Sequence, residues 1–447
     1  MAAHHIGQQS QPQGNAMKNS SRRFSQSFKY LLSGLLFVSI APSVLLAETD
    51  PSEADMIARA QAIHAGSLVL DAHADIVIPS TSLSYLGEGG VSKVSPAKLV
   101  EGGVSAVVMS VAVGPGDRSP EGTAAARAIA DEKLAAALQI VADAPEEIVL
   151  ARSAAAVEAA KAAGKSALIL GFQNARSLEQ DVSAIDHFYE AGVRVFGLNH
   201  LGHNAFSDSS RPLYIGTTRS YEPTEEHGGL SALGIAAVQR INALGAIVDI
   251  SQLSKAAAMQ AINLSNAPVI ASHSNVRAIS NVTRNLSDEE IDLIGEKGGV
   301  IHVAAFGAYL VPLSDPDLLE AVIAVRLKAG LPAAYSYPYE LYWELEDPAA
   351  KRAFLIEMRS TIGAGSVTDM IAHINYIVER IGIDHVGVGN DFNHGSNIDG
   401  YRDASEALNL TVELVRAGYS ADDIGKIWSG NFLRVFREAE TLSSAPH

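Results

Sequence analysis

Two residues that could bind a metal, His73 and Asp75, end an apolar segment near the start of the chain, in the sequence SLVLDAHADIVIP (residues 67–79). Side chains alternate between the two faces of a β-strand, so residues i and i+2 point the same way. An imidazole and a carboxylate would therefore converge on one point, as metal ligands do. A cap or a turn after a buried strand would also leave a polar pair here, so the rest of the chain must distinguish the two interpretations.

The elements that would position this pair follow a repeating pattern. Short β-branched apolar segments alternate with long alanine-rich segments that favour helix, which is typical of βα units and a parallel sheet. The candidate strands are residues 68–75, 104–113, 167–174, 193–200, 246–252, 268–274, 298–305 and 385–391. Because eight parallel strands close a barrel, the sequence predicts an α/β fold of the (β/α)8 TIM barrel type.

An open, doubly wound sheet is the alternative architecture. It would need a glycine-rich phosphate turn after an early strand, and no G-x-G-x-x-G opens a helix in this sequence. Two connections are long, residues 202–230 and 306–368, and the second contains the aromatic-rich sequence AAYSYPYELYWELEDP. On a barrel, such connections are expected to form lids or substrate walls, with plain surface decoration as the alternative.

Polar side chains recur at the carboxyl ends of the predicted strands. They are His73, Asp75, Gln173, His200, Gln252, His273 and Asp391. In a (β/α)8 barrel these ends form a single active-site face. One polar residue at a strand end is commonly structural, but three imidazoles and two carboxylates on one face predict a pocket for a hard or borderline cation such as Zn²⁺.

The N-terminal segment has the pattern of an export signal. Lys18, Arg22, Arg23 and Lys29 precede an apolar stretch, residues 31–47, which the acidic sequence ETDPSEAD follows at once. We therefore expect residues 1–47 to be a signal peptide with an N-terminal extension, and residues 48–447 to form a single (β/α)8 barrel domain with a metal site. A short membrane anchor is the alternative, but the stretch is shorter than the roughly 20 residues of a span and contains Ser, Gly and Pro.

The net charge and the cysteine content limit which binding partners and which cellular compartment are expected. The 447-residue chain has a formal net charge of −17 and no cysteine. The negative charge disfavours nucleic acid and anionic membrane surfaces as partners, and the lack of cysteine excludes disulfides and thiolate metal sites. We expect a soluble periplasmic or secreted bacterial protein without a stable membrane anchor. The oligomeric state stays open, with a homodimer among the expectations.

The sequence resembles the membrane (renal) dipeptidases, peptidase family M19, within the amidohydrolase-like metal barrels. The resemblance covers about residues 67–438 and follows, in order, LDAHAD, LVEGGVSAVVMSV, HFYEAGVRVFGLNH, PVIASHSNVRAI, TRNLSDEEI, GVGNDF and GNFLRVF. It implies that His73, Asp75 and Asp391 bind one metal ion, and that His273 binds a second ion in a site that is normally binuclear.

Two departures from the family pattern concern the metals. Gln173 stands where the resemblance implies a Glu that bridges both ions, and Gln252 stands where it implies a His on the second ion. Two divalent ions about 3.5 Å apart repel by about 19 kcal/mol at an effective dielectric near 20, before ligands offset the repulsion. The remaining carboxylates, Asp75 and Asp391, balance the charge of one ion, so we expect one Zn²⁺ and a weakened second site.

Two further imidazoles lie close in sequence to the expected ligands. His203 in NHLGHN and His394 in DFNHG could restore the second site. The favoured interpretation is that each is a loop residue of a variant pocket.

The resemblance also assigns the chemistry. A metal-activated water would attack an amide carbonyl, Asp391 would take the proton and return it to the leaving nitrogen, and His200 would stabilise the oxyanion. Arg284, in TRNLSDEE, would pair with the substrate carboxylate. Hydrolysis of dipeptides or small N-acyl amino acids is the leading hypothesis. A mononuclear enzyme acting on a non-peptide carboxylate, by another hydrolysis or a lyase step, and a catalytically silent binding protein are the alternatives.

Overall fold

The parallel sheet predicted from the sequence is present. A computed structural model describes residues 52–215, 217–218, 220–333, 345 and 347–443. The strands of this part of the chain are β1 Val69–Asp75, β2 Val104–Ala112, β3 Ile148–Leu150, β4 Ser166–Gln173, β5 Val193–Gly197, β6 Tyr214–Ile215, β7 Ser220–Tyr221, β8 Ile247–Asp249, β9 Ile270–Ala271, β10 Val300–Val303 and β11 Val386–Val388. Eight of them pair in the order β1-β2-β4-β5-β8-β9-β10-β11, and all of these pairs are parallel.

The two ends of this sheet meet and close the barrel. Past the end of β11, the Asp391 N–H donates to the His73 carbonyl at 3.0 Å, and the Asp75 N–H donates to the Phe392 carbonyl at 2.8 Å. The buried Asp71 carboxylate reinforces the seam, because it accepts from the backbone and side-chain N–H groups of Asn390 at 2.9 and 3.0 Å. The predicted (β/α)8 barrel is confirmed.

All eight candidate strands exist, and most end earlier than predicted. The residues after β5, β8, β9 and β11 turn into loops, so several polar residues expected on strands lie just beyond them. The short strand β3 was not predicted. It pairs with the first residues of β4, Ser166 to Leu168. The later residues of β4, from Leu170 to Gln173, pair with β5. Strands β1, β2 and β4 are buried along their whole length, as expected where helices cover the outside of a parallel sheet.

Helices surround the barrel. They are α1 Glu53–Gly66, α2 Pro96–Glu101, α3 Pro120–Asp143, α4 Ala154–Ala162, α5 Ala184–Ala191, α6 Ala232–Leu244, α7 Lys255–Leu264, α8 Asp288–Glu296, α9 Gly307–Leu310, α10 Pro316–Lys328, α11 Pro348–Ile362, α12 Val367–Ile381, α13 Ala407–Arg416, α14 Ala421–Gly425 and α15 Asn431–Glu440. Serine hydroxyls cap several N-termini; Ser119, for example, accepts from the N–H of Gly122 at the start of α3. Gly192 and Gly245 end α5 and α6 at φ values of 123° and 72°, where a side chain would be strained.

The two long connections differ from a plain loop. Residues 202–230 contain the small antiparallel pair β6–β7, and residues 306–368 contain α9, α10 and α11. Most of the aromatic-rich sequence predicted to form a substrate wall, and the predicted export signal, lie outside the described residues. Both stay predictions, and the intact mass of the mature protein would test a start near Glu48. Within the part of the chain that the structure describes, we find no helix long and apolar enough to cross a membrane.

Buried neutral histidines make the stability of the barrel depend on pH. In α12, His373 Nδ1 accepts from the Val276 N–H at 3.0 Å and Nε2 lies 3.0 Å from the Leu310 carbonyl, which only the neutral ring satisfies at both nitrogens. Burial lowers the pKa of His373 from 6.5 to about 4, against the raising effect of the Leu310 carbonyl. Below pH 6.5 the unfolded chain therefore binds a proton that the folded state takes up only near pH 4, so stability present above pH 6.5 is lost as the pH falls.

We expect the pH dependence of unfolding to become shallower when His373 is replaced. The free energy of unfolding should fall by about 3 kcal/mol less between pH 7 and pH 4 in His373→Asn than in the unchanged protein. Urea titrations at several pH values measure this difference. His187→Asn, which changes a half-exposed histidine, is the control and should retain the steeper dependence. Equal losses in both variants would contradict the assignment.

Candidate active site

Four buried side chains converge where β1, β9 and β11 end: His73, Asp75, His273 and Asp391. Ligand atoms of His73, His273 and Asp391 all lie within 4.8 Å of one another. His73 Nε2 is 3.6 Å from Asp75 Oδ1 and 3.9 Å from Asp391 Oδ1, and the His73 and His273 rings stack with centroids 3.7 Å apart. The two distances from His73 Nε2 to carboxylate oxygens are too long for hydrogen bonds, but they suit atoms arranged about a cation.

The local backbone fixes these ligand atoms. His73 and Asp75 project from the last residues of β1 in the i, i+2 register expected from the sequence. Asp391 follows β11 with a φ of 61°, a left-handed conformation that Asp tolerates better than most residues. Because its N–H is bonded to the His73 carbonyl, the Asp391 residue is tied to the strand that carries two other candidate ligands, His73 and Asp75.

Unsatisfied polar atoms mark the centre of this cluster. His73 Nε2 and Asp75 Oδ1 are buried and have no hydrogen-bond partner among the described residues. Such atoms are uncommon in native proteins and indicate an ion or water at the site. Burial alone would lower the pKa of His73, but the carboxylates of Asp75 and Asp391 raise it above the usual value. A cation at this position would satisfy the same atoms, and these residues therefore fit a metal.

Hydrogen bonds orient His273. The Ser272 hydroxyl donates to Asp249 Oδ2 at 2.5 Å, so it accepts from His273 Nδ1–H at 2.7 Å. The lone pair of His273 is therefore on Nε2, the atom that faces the cluster. An outer hydrogen bond of this kind, running from a ligand histidine to a carboxylate, sets the tautomer in many metal sites.

The other predicted imidazoles divide into two groups. His200 is buried, its Nδ1 has no partner among the described residues, and its ring meets that of His394 edge-on with centroids 4.9 Å apart. His394 Nδ1 lies 3.1 Å from Asp75 Oδ2, so this loop residue belongs to the site. His203 does not, because its Nδ1 accepts from the Ser209 N–H and its Nε2 donates to the Pro223 carbonyl. It holds the loop and cannot serve as a ligand in this conformation.

A cavity of about 530 Å³ opens beside the cluster. Asp75, His200 and His394 line it, together with mainly apolar residues. Arg284 is not among the lining residues. Its guanidinium donates to the Ser274 hydroxyl at 2.9 Å and to the His273 carbonyl, and it lies 5.1 Å from the ring centre of Tyr309, which does face the cavity.

The comparison with known families agrees with this geometry. The model for membrane dipeptidase, peptidase family M19, matches residues 57–447. This chain belongs to the membrane dipeptidase family. Among solved structures of the family's fold, the probable dipeptidase PvdM from Pseudomonas aeruginosa is 32% identical, with 87% of this chain and 100% of that chain covered and a TM-score of 0.77. The expected family and barrel are confirmed.

Other dipeptidases are similar in sequence to part of this chain. Dipeptidase aclJ of Aspergillus oryzae is 29% identical over 63% of this chain, and dipeptidase tcpJ of Claviceps purpurea is 27% identical over the same share. The chain spans about half the length of these curated relatives, 53% of each. A metallopeptidase from Rhodobacter sphaeroides, liganded with a phosphinate mimic of the dipeptide L-Ala-D-Ala, has the same fold at 20% identity, with 83% of this chain and 99% of that chain covered and a TM-score of 0.64.

Near this cluster, the two residues that depart from the family pattern are both buried. Gln173, at the end of β4, places its side-chain nitrogen 3.3 Å from His273 Nε2. Gln252 has a φ of 73° and a buried side-chain oxygen without a partner among the described residues. Neither amide supplies negative charge. The structure thus brings Gln173 to the histidine expected on the second metal, in the position where the family pattern implies a carboxylate.

Several residues of the site were not predicted from the sequence. Lys133 in α3 has its Nζ 3.7 Å from Asp75 Oδ2, Asp249 and Ser272 orient His273, and Arg211 lines the cavity and donates to the Tyr309 hydroxyl at 2.7 Å. The sequence did contain a signal for Asp249, because it is a carboxylate inside an apolar strand segment.

The sequence contained no such signal for Lys133, because lysine in an alanine-rich helix is ordinarily a solvent-facing residue.

Proposed function

We propose that this protein hydrolyses the amide bond of dipeptides or of related small N-acyl amino acids. The observation that carries the proposal is the convergence of His73, Asp75, His273 and Asp391, with unsatisfied buried atoms, beside a cavity of about 530 Å³. Membership of the dipeptidase family gives independent support. A cavity of this size suits a small substrate and is too small for a folded protein chain.

We propose Zn²⁺ as the metal, with one ion per chain. His73, Asp75 and Asp391 would hold it, and the imidazole of His273 lies close enough to contribute. Nitrogen and carboxylate donors of this kind suit a borderline cation. When bound, the ion lowers the pKa of water toward neutrality and polarises an amide carbonyl.

The chain's own residues would carry the proton and the developing charge. Asp391 is the proposed proton acceptor, and burial raises its pKa despite the opposing charge of His394, which favours a carboxyl that can both take and return a proton. His200 is the proposed oxyanion donor. Burial holds the pKa of His200 well below its usual range, so the ring is neutral and donates one N–H to the oxyanion.

Arg284 is the proposed partner of the substrate carboxylate. Arg284 would contribute positive charge from beneath Tyr309 and would need that ring to move before a bidentate contact could form. The combination of Asp391 in the cluster and His200 on the wall of the adjacent cavity favours catalysis over a silent binding protein, because binding alone requires neither a proton acceptor nor an oxyanion donor.

A turnover assay with metal control tests the proposed function. We expect the zinc-loaded protein to hydrolyse members of a dipeptide panel, to lose activity after chelation and to recover it with added Zn²⁺. His200→Asn should lower kcat by about 10²- to 10³-fold with its metal content unchanged, while His187→Asn should match the original protein. A folded, zinc-loaded protein that cleaves neither a dipeptide nor a small N-acyl amino acid would refute the proposal.

A further inference from the structure

Lys133 occupies an unusual position for a lysine. Helix α3 has 24 residues and buries one face, formed by Thr123, Ala126, Ala130, Lys133, Leu134 and Ala137. Lys133 thus lies in the buried stripe of its helix and is only 9% exposed. Burying an ammonium group is costly unless other groups compensate its charge. A lysine in this buried stripe therefore requires a negatively charged partner or a functional role.

Asp75 is the nearby carboxylate, and its two oxygens face different groups. Oδ1 faces His73 Nε2 at 3.6 Å, whereas Oδ2 faces Lys133 Nζ at 3.7 Å and His394 Nδ1 at 3.1 Å. At 3.7 Å the ammonium is beyond hydrogen-bond distance, so its N–H groups are not committed to this carboxylate. Once Asp75 shares its negative charge with a divalent cation, little of that charge is left to balance the ammonium of Lys133.

Lys133 lines the cavity, where few other charged residues are present. Among the described residues that line it, the basic residues other than histidine are Lys133 and Arg211, and Asp75 is the one carboxylate. Many of the remaining lining residues are apolar, such as Ile76, Ile78 and Val113. A low-dielectric wall strengthens the attraction between a fixed ammonium and an anionic group that enters the cavity. Asp75 and Asp391 balance the charge of one divalent cation, so the positive charges of Lys133 and Arg211 remain, and a dipeptide with uncharged side chains brings only one carboxylate to pair with them.

We propose that Lys133 binds a second carboxylate of the substrate, so that the protein prefers acidic dipeptides or N-acyl derivatives of acidic amino acids. This inference rests on the proposed function. Arg211, which also faces the cavity, and Arg284 remain for the carboxylate that every dipeptide has. Lys133 is thereby a specificity residue, and its charge should matter only for substrates that carry the additional anion.

The test compares substrates that differ in charge and hardly in shape. We expect kcat/KM to be about tenfold to a hundredfold higher for Ala-Glu than for Ala-Gln, or for Glu-Ala than for Gln-Ala, since a hydrogen bond to a charged group contributes about that much. In Lys133→Met this ratio should fall to near one, and in Lys133→Arg it should be largely retained. The ratio is measured within one enzyme preparation, so partial loss of metal cannot change it.

Two controls separate the inference from the proposed function. Lys98→Met removes another partly buried lysine, paired with Asp403 away from the cavity, and should leave the ratio unchanged. Calorimetric titration with glutarate and with its monoamide measures the same preference without turnover, and Lys133→Met should weaken glutarate binding alone. Hydrolysis with equal kcat/KM for both members of each pair would refute the role of Lys133. Absence of all hydrolysis would instead refute the proposed function, and the titrations would still decide the role of Lys133.

Discussion

Asp75→Asn is expected to remove most of the bound metal and to lower kcat/KM by at least about a thousandfold. The carboxylate supplies one of the two negative charges in the cluster, and its Oδ1 faces His73 Nε2 without another partner. Loss of an outer partner of a metal ligand already costs 10- to 100-fold in metal affinity or activity, so loss of a ligand charge should cost more. Elemental analysis of the purified protein and dipeptide turnover measure the two effects.

The neutral side chain of Asn has nearly the same shape as Asp, so the fold should tolerate the change. Asp186→Asn is a matched control, because Asp186 is a surface carboxylate that accepts from Arg240 Nε at 2.7 Å. Its metal content and activity should match those of the unchanged protein. If Asp75→Asn retained its metal and its activity, the proposed cluster would not be the metal site.

The number of metal ions bound by each chain should depend on Gln173 and Gln252. The protein should contain close to one ion per chain, and Gln173→Glu combined with Gln252→His should raise this toward two. The double change restores a carboxylate beside His273 and adds one strong imidazole, which together offset much of the repulsion of about 19 kcal/mol between two divalent ions. The ammonium of Lys133 near Asp75 adds further positive charge against a second ion in the unchanged protein.

The two single variants serve as internal controls. Each restores only one of the two missing donors, so each should bind the second ion more weakly than the double variant does. Elemental analysis across a zinc titration distinguishes them. Two tightly bound ions in the unchanged protein would show that amide oxygens or His394 complete the site, and the argument from charge would then fail.

The sequence by itself determined the barrel and the principal cluster. Strand periodicity of two placed His73 and Asp75 on one face, and the parallel order of eight strands required His273 and Asp391 to meet them at the same end. These results depend on local alternation and on a topology that short segments specify. The substitutions at Gln173 and Gln252 were visible for the same reason, because residue type at a strand end can be read without knowing any contact.

Only the tertiary structure decided the contacts between side chains far apart in sequence. His203 and His394 were equivalent in the sequence, yet the first is bound to loop backbone and the second reaches Asp75. Lys133 approaches Asp75 from a helix 58 positions further along the chain, and Ser272 fixes the tautomer of His273 through Asp249. Helical and strand patterns specify which face of an element is buried, whereas the partner across an interface depends on how the elements pack and where each side chain points.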